Sequence, residues 1–408
     1  MEKLKGINYL RNKLNAKSTR VEKRYRYYDM KYHVRDMGIS TPDNLRNFDN
    51  VAGWCTKAVD ALANRIVVRE FKNDAMNFNE IFRKNKSEIL FDNAIVSALI
   101  SSCSFIYIST GKDGAPRMQV IDGGNATGII DDTNYLLKEG YAVLERDALG
   151  KPTIEAYFEP RRTSIYYKGV KEPEVFPNNV DYPLLVPIIH RPDAKRPFGR
   201  SVISRASMDY VDGAVRTLKR SEISAEFYSY PQKYIVGTDA DAEPLDKWRA
   251  SISSMIEITA GENGEKPTIG QFAQQSMEPH LAQLRSYASL FAGETDLTLD
   301  DLGFTTSNPT SDEAMKTAHT NLMLKARKAQ RTFAIGFINA GYLCACLRDN
   351  QNYSIEAISD VKLKYEPIFV PDTTTLGQVG DALYKINQAV PNYIDEEIVR
   401  DLTGLERA

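Results

Sequence analysis

The chain has 408 residues, more than one hydrophobic core usually fills, so two or more domains or one elongated subunit of several parts is expected. Its 42% hydrophobic and 26% charged residues exclude a chain dominated by disorder, and 52 basic against 54 acidic side chains exclude one that grips nucleic acid over its whole surface. Any nucleic-acid role must come from local charge. Cys55, Cys103, Cys344 and Cys346 are scattered, which suits a reducing cytoplasm better than a secreted disulfide framework. The N-terminus has no apolar run of signal-peptide length, and the most apolar stretch, "AIVSALISSCSFIYI", is broken by Ser and Cys, so neither a targeting signal nor a membrane span is expected.

In chain order, "KRYRYYDMKYH" (Lys23 to His33) interleaves bases and aromatics. That pattern serves nucleic-acid contact through charge and stacking, but an arm packed on the body or on a neighbouring subunit is the stronger reading. Cys55, Val59, Leu62 and Ile66 alternate at four and three, the spacing of a helix with one buried stripe. A second helix is predicted over Phe78 to Cys103, running into the buried strand "SFIYIST". From there to Pro187, "PRMQVID", "GYAVLER", "TIEAYFE" and "TSIYYKG" alternate between Gly, Pro, Asn and Asp turns, as in an antiparallel meander.

"HRPDAKRPFGRSVISRASMDYVDGAVRTLKR" (His190 to Arg220) opens a different regime. "RPDAKRPFGR" holds four bases and one acid, which suit either phosphate contact or a rigid turn that aims the next helix. The helix expected from Gly199 to Tyr228 carries Ser201, Ser204, Ala206, Ser207, Gly213 and Ala214, too small for a thick apolar core. Pro231 to Ser276 reads as a small mixed insert with strand candidates "QKYIVG" and "KPTIGQF" around an amphipathic piece containing Trp248, and Pro279 to Ala292 as a second helix. Two helices flanking an insert suggest an antiparallel stalk with a head at its tip.

"GETDLTLDDLGFTTSNPTSDE" follows, with six acids from Glu294 to Glu313 and no base before Lys316, and reads as a long loop. Thr310 and Glu313 form a capping-box pattern, after which Leu322, Ala326, Ala329, Phe333, Phe337, Ala340, Cys344 and Leu347 keep one face of a single helix on the order of 50 Å long. The tail offers a strand, "VKLKYEPIF", then two short helices separated by Pro391.

Asp209 and Asp212 share a helix face at i and i+3 and could serve metal-assisted phosphoryl chemistry, yet no third acid or His stands at supporting spacing. Cys344 and Cys346, two apart on a helix, point to different faces and suit buried thiols rather than a metal site. The acid-rich loop lacks the EF-hand spacing, no phosphate-loop, Gly-x-Ser-x-Gly or His-Glu-x-x-His motif occurs, and the four His residues form no evident acid/base set. No cofactor, no metal and no enzymatic activity are expected.

The ordered segments "GWCTKAVDALANRI", "ISSCSFIYI", "PIIHRPDAKRPFGRSVIS" and "LRSYASLFAGETDLTLDDLGFTTSNPTSDEAMKTAHTNLMLKARKAQRTF" resemble those of portal proteins, the head-tail connectors of tailed double-stranded DNA bacteriophages, particularly the siphovirus type. The resemblance implies an α+β portal fold: an α/β wing over 1–198, a first stem helix over 199–229, a small α/β clip over 230–276 and a second stem helix over 277–292. A tunnel loop over 293–311, a long wing helix with a wing-end strand over 312–371 and a short helical crown over 372–408 would complete it. It further implies a homo-oligomeric ring, usually of twelve subunits, at one capsid vertex of the virion, assembled in the host cytoplasm. Through that ring double-stranded DNA is packaged and ejected, and the partners are the terminase large subunit, the head-tail adaptor, and the major capsid and scaffolding proteins, with no membrane. Only about 35 residues follow Pro371, so a large crown is not expected.

On that reading Glu294, Asp296, Asp300, Asp301, Thr305, Thr306 and Asn308 face the channel, the acids forming a negative collar that keeps the duplex off the wall. Arg200, Arg205, Asp209, Asp212, Arg216 and Lys219 lie on the stem between subunits, where a helix of small residues permits close approach in a closed ring. Lys233, Lys247, Trp248 and Arg249 fall in the clip, where terminase or adaptor docks. A metal-dependent nucleic-acid enzyme and a capsid or connector protein without a channel are the alternatives.

Overall fold

A computed structural model describes residues 4–34, 49–229, 233–236, 268–271, 276–304, 317–368 and 373–403. The chain divides into two compact units, one of Met1–Tyr32, Gly53–Met208 and Ala292–Ala408, the other of His33–Ala52 and Asp209–Phe291.

The larger unit begins with α1 (Ile7–Tyr28), whose Leu10 and Leu14, four residues apart, pack against Tyr141, Val143 and Tyr157 of a sheet. Its N-terminus is fixed by a buried carboxylate: Glu139 accepts the Lys5 and Gly6 N–H groups at 2.9 and 3.0 Å and the Tyr157 hydroxyl at 2.9 Å. A negative charge there satisfies orphan donors and complements the helix dipole. The "KRYRYY" motif is the end of this helix, and it packs on the body: Arg24 donates to Ser101 O, the Tyr25 hydroxyl bonds Ser97 Oγ, and the Tyr28 hydroxyl donates to Asp60.

The expected stripe of Cys55, Val59, Leu62 and Ile66 is buried, on α2 (Trp54–Ala63) and just beyond it. After β1 (Val68–Lys72), the single helix expected over 78–103 is two, α3 (Phe78–Lys84) and α4 (Ser87–Ser101). Lys86 between them is left-handed, and Asn85 holds the break by bonding the Ile81 and Pro116 carbonyls and the Met118 N–H. These ties to a distant strand override a continuous helical periodicity.

Then come β2 (Cys103–Thr110), β3 (Pro116–Asp122), β4 (Ala126–Ile130), β5 (Leu137–Arg146), β6 (Pro152–Glu159), β7 (Arg162–Tyr167), β8 (Glu174–Pro177) and β9 (Leu185–Ile189). The meander is β4-β5-β6-β7-β8; β3, the "PRMQVID" strand expected to open it, instead pairs with β2, which lies between β3 and β9 in a separate antiparallel sheet. This sheet is covered by α4 and by α7 (Thr320–Asp349), 30 residues and about 45 Å long. Along α7 the expected face from Leu322 to Cys344 is buried, with Phe337 edge-on to Phe91 at 4.7 Å. The capping box at Thr310 lies outside the described residues. β12 (Lys362–Tyr365) pairs antiparallel with β1, and α8 (Thr373–Ala389) and α9 (Glu396–Thr403) end the chain's described part.

The smaller unit holds most of α5 (Arg205–Ser229) and α6 (Glu278–Thr295), with β10 (Lys233–Val236) paired antiparallel to β11 (Thr268–Gln271). Gly213 meets Tyr287 and Ser224 meets His280, so the two helices run antiparallel. Both boundaries shift from the sequence expectation. α5 starts at Arg205 rather than Gly199, because 199–204 is spent on pinning the chain: Ser201 Oγ bonds the Ile100 carbonyl, Val202 N the Leu99 carbonyl, and Ser204 Oγ caps the Ser207 N–H. α6 continues to Thr295, three residues into the expected loop. Among the described residues no helix is long and apolar enough to cross a membrane.

Candidate functional site

The acid-rich segment starts inside α6 and leaves it at Asp296, which is left-handed. The Leu297 N–H donates back to Ala292 O, and Asp300–Leu302 forms one 3-10 turn. Thr298 and Asp301 brace each other: the Thr298 N–H and hydroxyl each donate to Asp301 Oδ2 at 2.9 Å, and the Asp301 N–H donates to Thr298 Oγ1 at 3.2 Å. His319 Nε2 lies 3.0 Å from the same carboxylate oxygen. Burial alone would raise the Asp301 pKa, but the Thr298 donors and His319 outweigh it and hold the carboxyl below the usual range. Asp296 forms an ion pair with Lys325 of α7, whose ammonium also reaches Glu294 O. Asp296 and Asp301 are therefore engaged by groups far along the chain; Glu294 and Asp300 are exposed, and Asp300 too takes part in an interaction. Thr305, Thr306 and Asn308 lie outside the described residues.

On α5, Asp209 is exposed and Asp212, Arg216 and Lys219 are half-buried. Among the described residues no group of three His, Cys, Asp or Glu could hold a metal ion, so Asp209 and Asp212 gain no third ligand. Gly213 shows why the small residues are there: a Cβ on it would stand 2.5 Å from the Tyr287 ring, so only glycine lets α6 approach. Ala214 is fully buried, and Thr217 bonds the Gly213 carbonyl. Gly213 and Ala214 of the small-residue stripe are thus packed within the chain itself. Lys233 stands on β10; Lys247, Trp248 and Arg249 lie outside the described residues.

The structure also joins two motifs that the sequence keeps apart. "RPDAKRPFGR" is a tight turn, where Asp193 accepts the Lys195 and Arg196 N–H groups and pairs with the exposed Arg200 at 2.7 Å. Gly199 has φ +72, and a Cβ there would fall 2.0 Å from the His190 carbonyl. His190 is buried, donating from Nδ1 to Arg200 O at 2.6 Å, and burial pushes its pKa down to about 4, so it is neutral at pH 7. This turn and α1 wall a cavity of about 720 Å³. Lys13, Lys17, Arg20 and Arg24 line it from α1, Arg191, Arg196, Arg200 and Arg205 from the turn and the start of α5, and Lys325 from α7; among the described residues Glu294 is the one acid of the lining. The sequence signal was α1's basic residues at 13, 17, 20 and 24, spaced four, three and four along one helix face.

No family model matches the sequence. The portal protein of Mycobacterium phage L5 is 24% identical over 328 residues, 75% of this chain and 67% of that protein. Among solved structures, a chain in the virion of a native gene transfer agent particle aligns over 95% of this chain and 100% of its own, at 14% identity and TM-score 0.46. A chain in the neck of an empty particle, with C6 symmetry, aligns over 87% of this chain and 90% of its own, at 13% identity and TM-score 0.48. One in the neck of a native particle, with C12 symmetry, has the same coverage, 15% identity and TM-score 0.46. In its ordered motifs and in its match to the phage L5 relative, the chain is similar to phage portal proteins.

Proposed function

We propose that this chain is a portal subunit, forming a homo-oligomeric ring at one capsid vertex of the virion and surrounding the path by which double-stranded DNA enters and leaves. The observation that carries the reading is the 328-residue match to a phage portal protein. The antiparallel pair of α5 and α6, with the β10–β11 hairpin between them in sequence, suits the two-helix stem and clip of that architecture. Arg205, Asp209, Asp212, Arg216 and Lys219 would then be subunit-contact charges, and the clip from 230 to 276, with Lys233, Lys247, Trp248 and Arg249, the docking face for terminase and later the head-tail adaptor.

Within the 293–311 segment the pairing of Asp296 and Asp301 narrows the proposed collar to its exposed acids, Glu294 and Asp300. Repeated around a ring, they repel phosphates and keep the duplex sliding, whereas a ring of bases would bind it tightly through counterion release. Mass photometry of the purified chain should show a ring of about twelve subunits; a monomer or dimer across protein and salt concentrations counts against the proposal. The collar has its own test. Asp300→Lys should leave rings intact but reduce the DNA packaged per particle, and normal packaging by rings of that variant would remove the role.

A further inference from the structure

We infer that the cavity between α1 and the 190–205 turn is a binding site for a polyphosphate anion, of the size of tripolyphosphate or the phosphate chain of a nucleoside triphosphate. The inference is independent of the portal reading.

Charge imbalance is the first argument. Nine basic side chains line the cavity against one carboxylate, Glu294, and among the described residues Lys13, Lys17, Arg20, Arg24, Arg196 and Arg205 make no ion pair. The nearby acid Asp122 accepts from the Gly124 N–H and the Asn125 amide and favours the charged Lys17 without forming an ion pair with it. Like charges gathered in a partly desolvated recess repel one another, so such a cluster is costly unless a counter-charge enters.

A purely structural role accounts for only part of the cluster. β4 is an edge strand, and Lys13 and Lys17 cap its outward carbonyls, donating to Gly128 O at 2.7 Å and Ala126 O at 2.8 Å. Each ammonium has three N–H groups and uses one there. Arg24 donates to Ser101 O at 3.1 Å, but its Nε is buried without a partner. Arg20 and Arg196 cap nothing, and both are exposed at the rim. Electrostatics agree: burial, then Arg20 and Arg196, lower the Arg24 pKa to about 10, and burial followed by Lys17 and Lys5 lowers that of Lys13.

Shape and chemistry select the ligand class. A cavity of about 720 Å³ is in the range of small-ligand sites and is concave, so the convex face of a duplex does not reach its floor. Guanidinium groups bind phosphate oxygens in bidentate fashion, and a triphosphate brings several negative charges in one small body, where a carboxylate brings one. The phenyl ring in the lining, Phe198, is already engaged by the Lys13 and Lys17 ammonium groups at 4.9 and 5.5 Å. The His190 ring is buried and bonded to Arg200 O, so among the described residues of the lining no aromatic ring is left to stack on a base, and the phosphate chain is what is recognised.

Isothermal calorimetry on the full chain tests this with sodium tripolyphosphate, ATP and a short duplex DNA at one ionic strength. Tripolyphosphate and ATP should bind saturably, with affinities within about threefold of each other, and the affinity should fall steeply with added salt. Arg20→Gln with Arg196→Gln, both at exposed positions, should weaken both ligands by at least about tenfold while leaving Tm without ligand unchanged or slightly raised. Lys17→Met should weaken them further. Absence of saturable tripolyphosphate binding overturns the inference, as does binding that survives the double variant. Duplex binding that is as tight as tripolyphosphate binding and is not displaced by it would overturn it in favour of a DNA-facing surface.

Discussion

The acidic turn that ends α6 and the basic cavity beside it meet at Lys325, yet they handle charge in opposite ways. In the turn, Asp301 is braced by Thr298 and His319 and Asp296 by Lys325, so these acids are compensated inside the fold. In the cavity, nine bases line the wall and, among the described residues, only Arg200 and Lys325 of them form ion pairs. Sequence does not show this contrast, because the acidic run has no base within it and each basic motif holds a single acid. Local charge density therefore says little about compensation, which is decided by residues far away in the chain.

The most severe way to break this contrast is to detach one wall of the cavity. Glu139→Ala removes a buried acceptor of three hydrogen bonds at the start of α1 and should cost about 4 kcal/mol of stability, measured by urea unfolding. Hydrogen exchange should quicken along α1 while α7, which carries Lys325, keeps its protection. A loss below about 1 kcal/mol would mean that α1 is held without its carboxylate.

Acid should separate the two regions by pH. His190 titrates near 4 in the fold because it is buried, against about 6.5 unfolded. The unfolded state therefore binds more protons below about pH 6.5, and the His190 contribution is complete above that pH and is lost as pH falls toward 4. The total is on the order of 3 kcal/mol. His190→Asn, whose amide can still donate to Arg200 O, should flatten the unfolding free energy across that window. Asp301 works lower down: its pKa is depressed, so its contribution is present above the ordinary carboxylate range and disappears only below it. A His190→Asn protein with an unchanged slope between pH 6.5 and 4 would contradict the assignment.

Much of the fold could be read from residues. The stripes of α2 and α7, the β4–β8 meander and the β10–β11 pair follow from periodicity, because each is decided by neighbours within a few positions. α1 did not announce itself. Its fully buried apolar residues are few, Leu10, Leu14, Val21 and Tyr27, and the bases and tyrosines at its end mimic a nucleic-acid arm. The break at Asn85 and the later start of α5 depend on hydrogen bonds to β3 and α4, which no local window contains. The same holds for the site. The acids of 293–311 were legible as a group, but their partners Lys325 and His319 were not, and the cavity required α1 and the 190–205 turn, more than 160 residues apart, to be brought together.

Smaller effects come from the acidic side. Asp301→Asn keeps an acceptor for Thr298 but loses the charge facing His319, and should cost about 1 kcal/mol with rings, where formed, unaffected.

Lys325→Met is the finest test, because this ammonium belongs to both regions. On the acidic side it breaks a partly exposed ion pair with Asp296, which is worth at most about 1 kcal/mol, and the methionine retains the stem's packing. On the basic side it removes one of nine cations from the cavity wall, so tripolyphosphate affinity should fall only about threefold, well short of the Arg20/Arg196 double variant. If Lys325→Met abolished anion binding while barely changing Tm, the anion would sit at the acidic turn instead, and the two regions would have to be treated as one site with Lys325 at its centre.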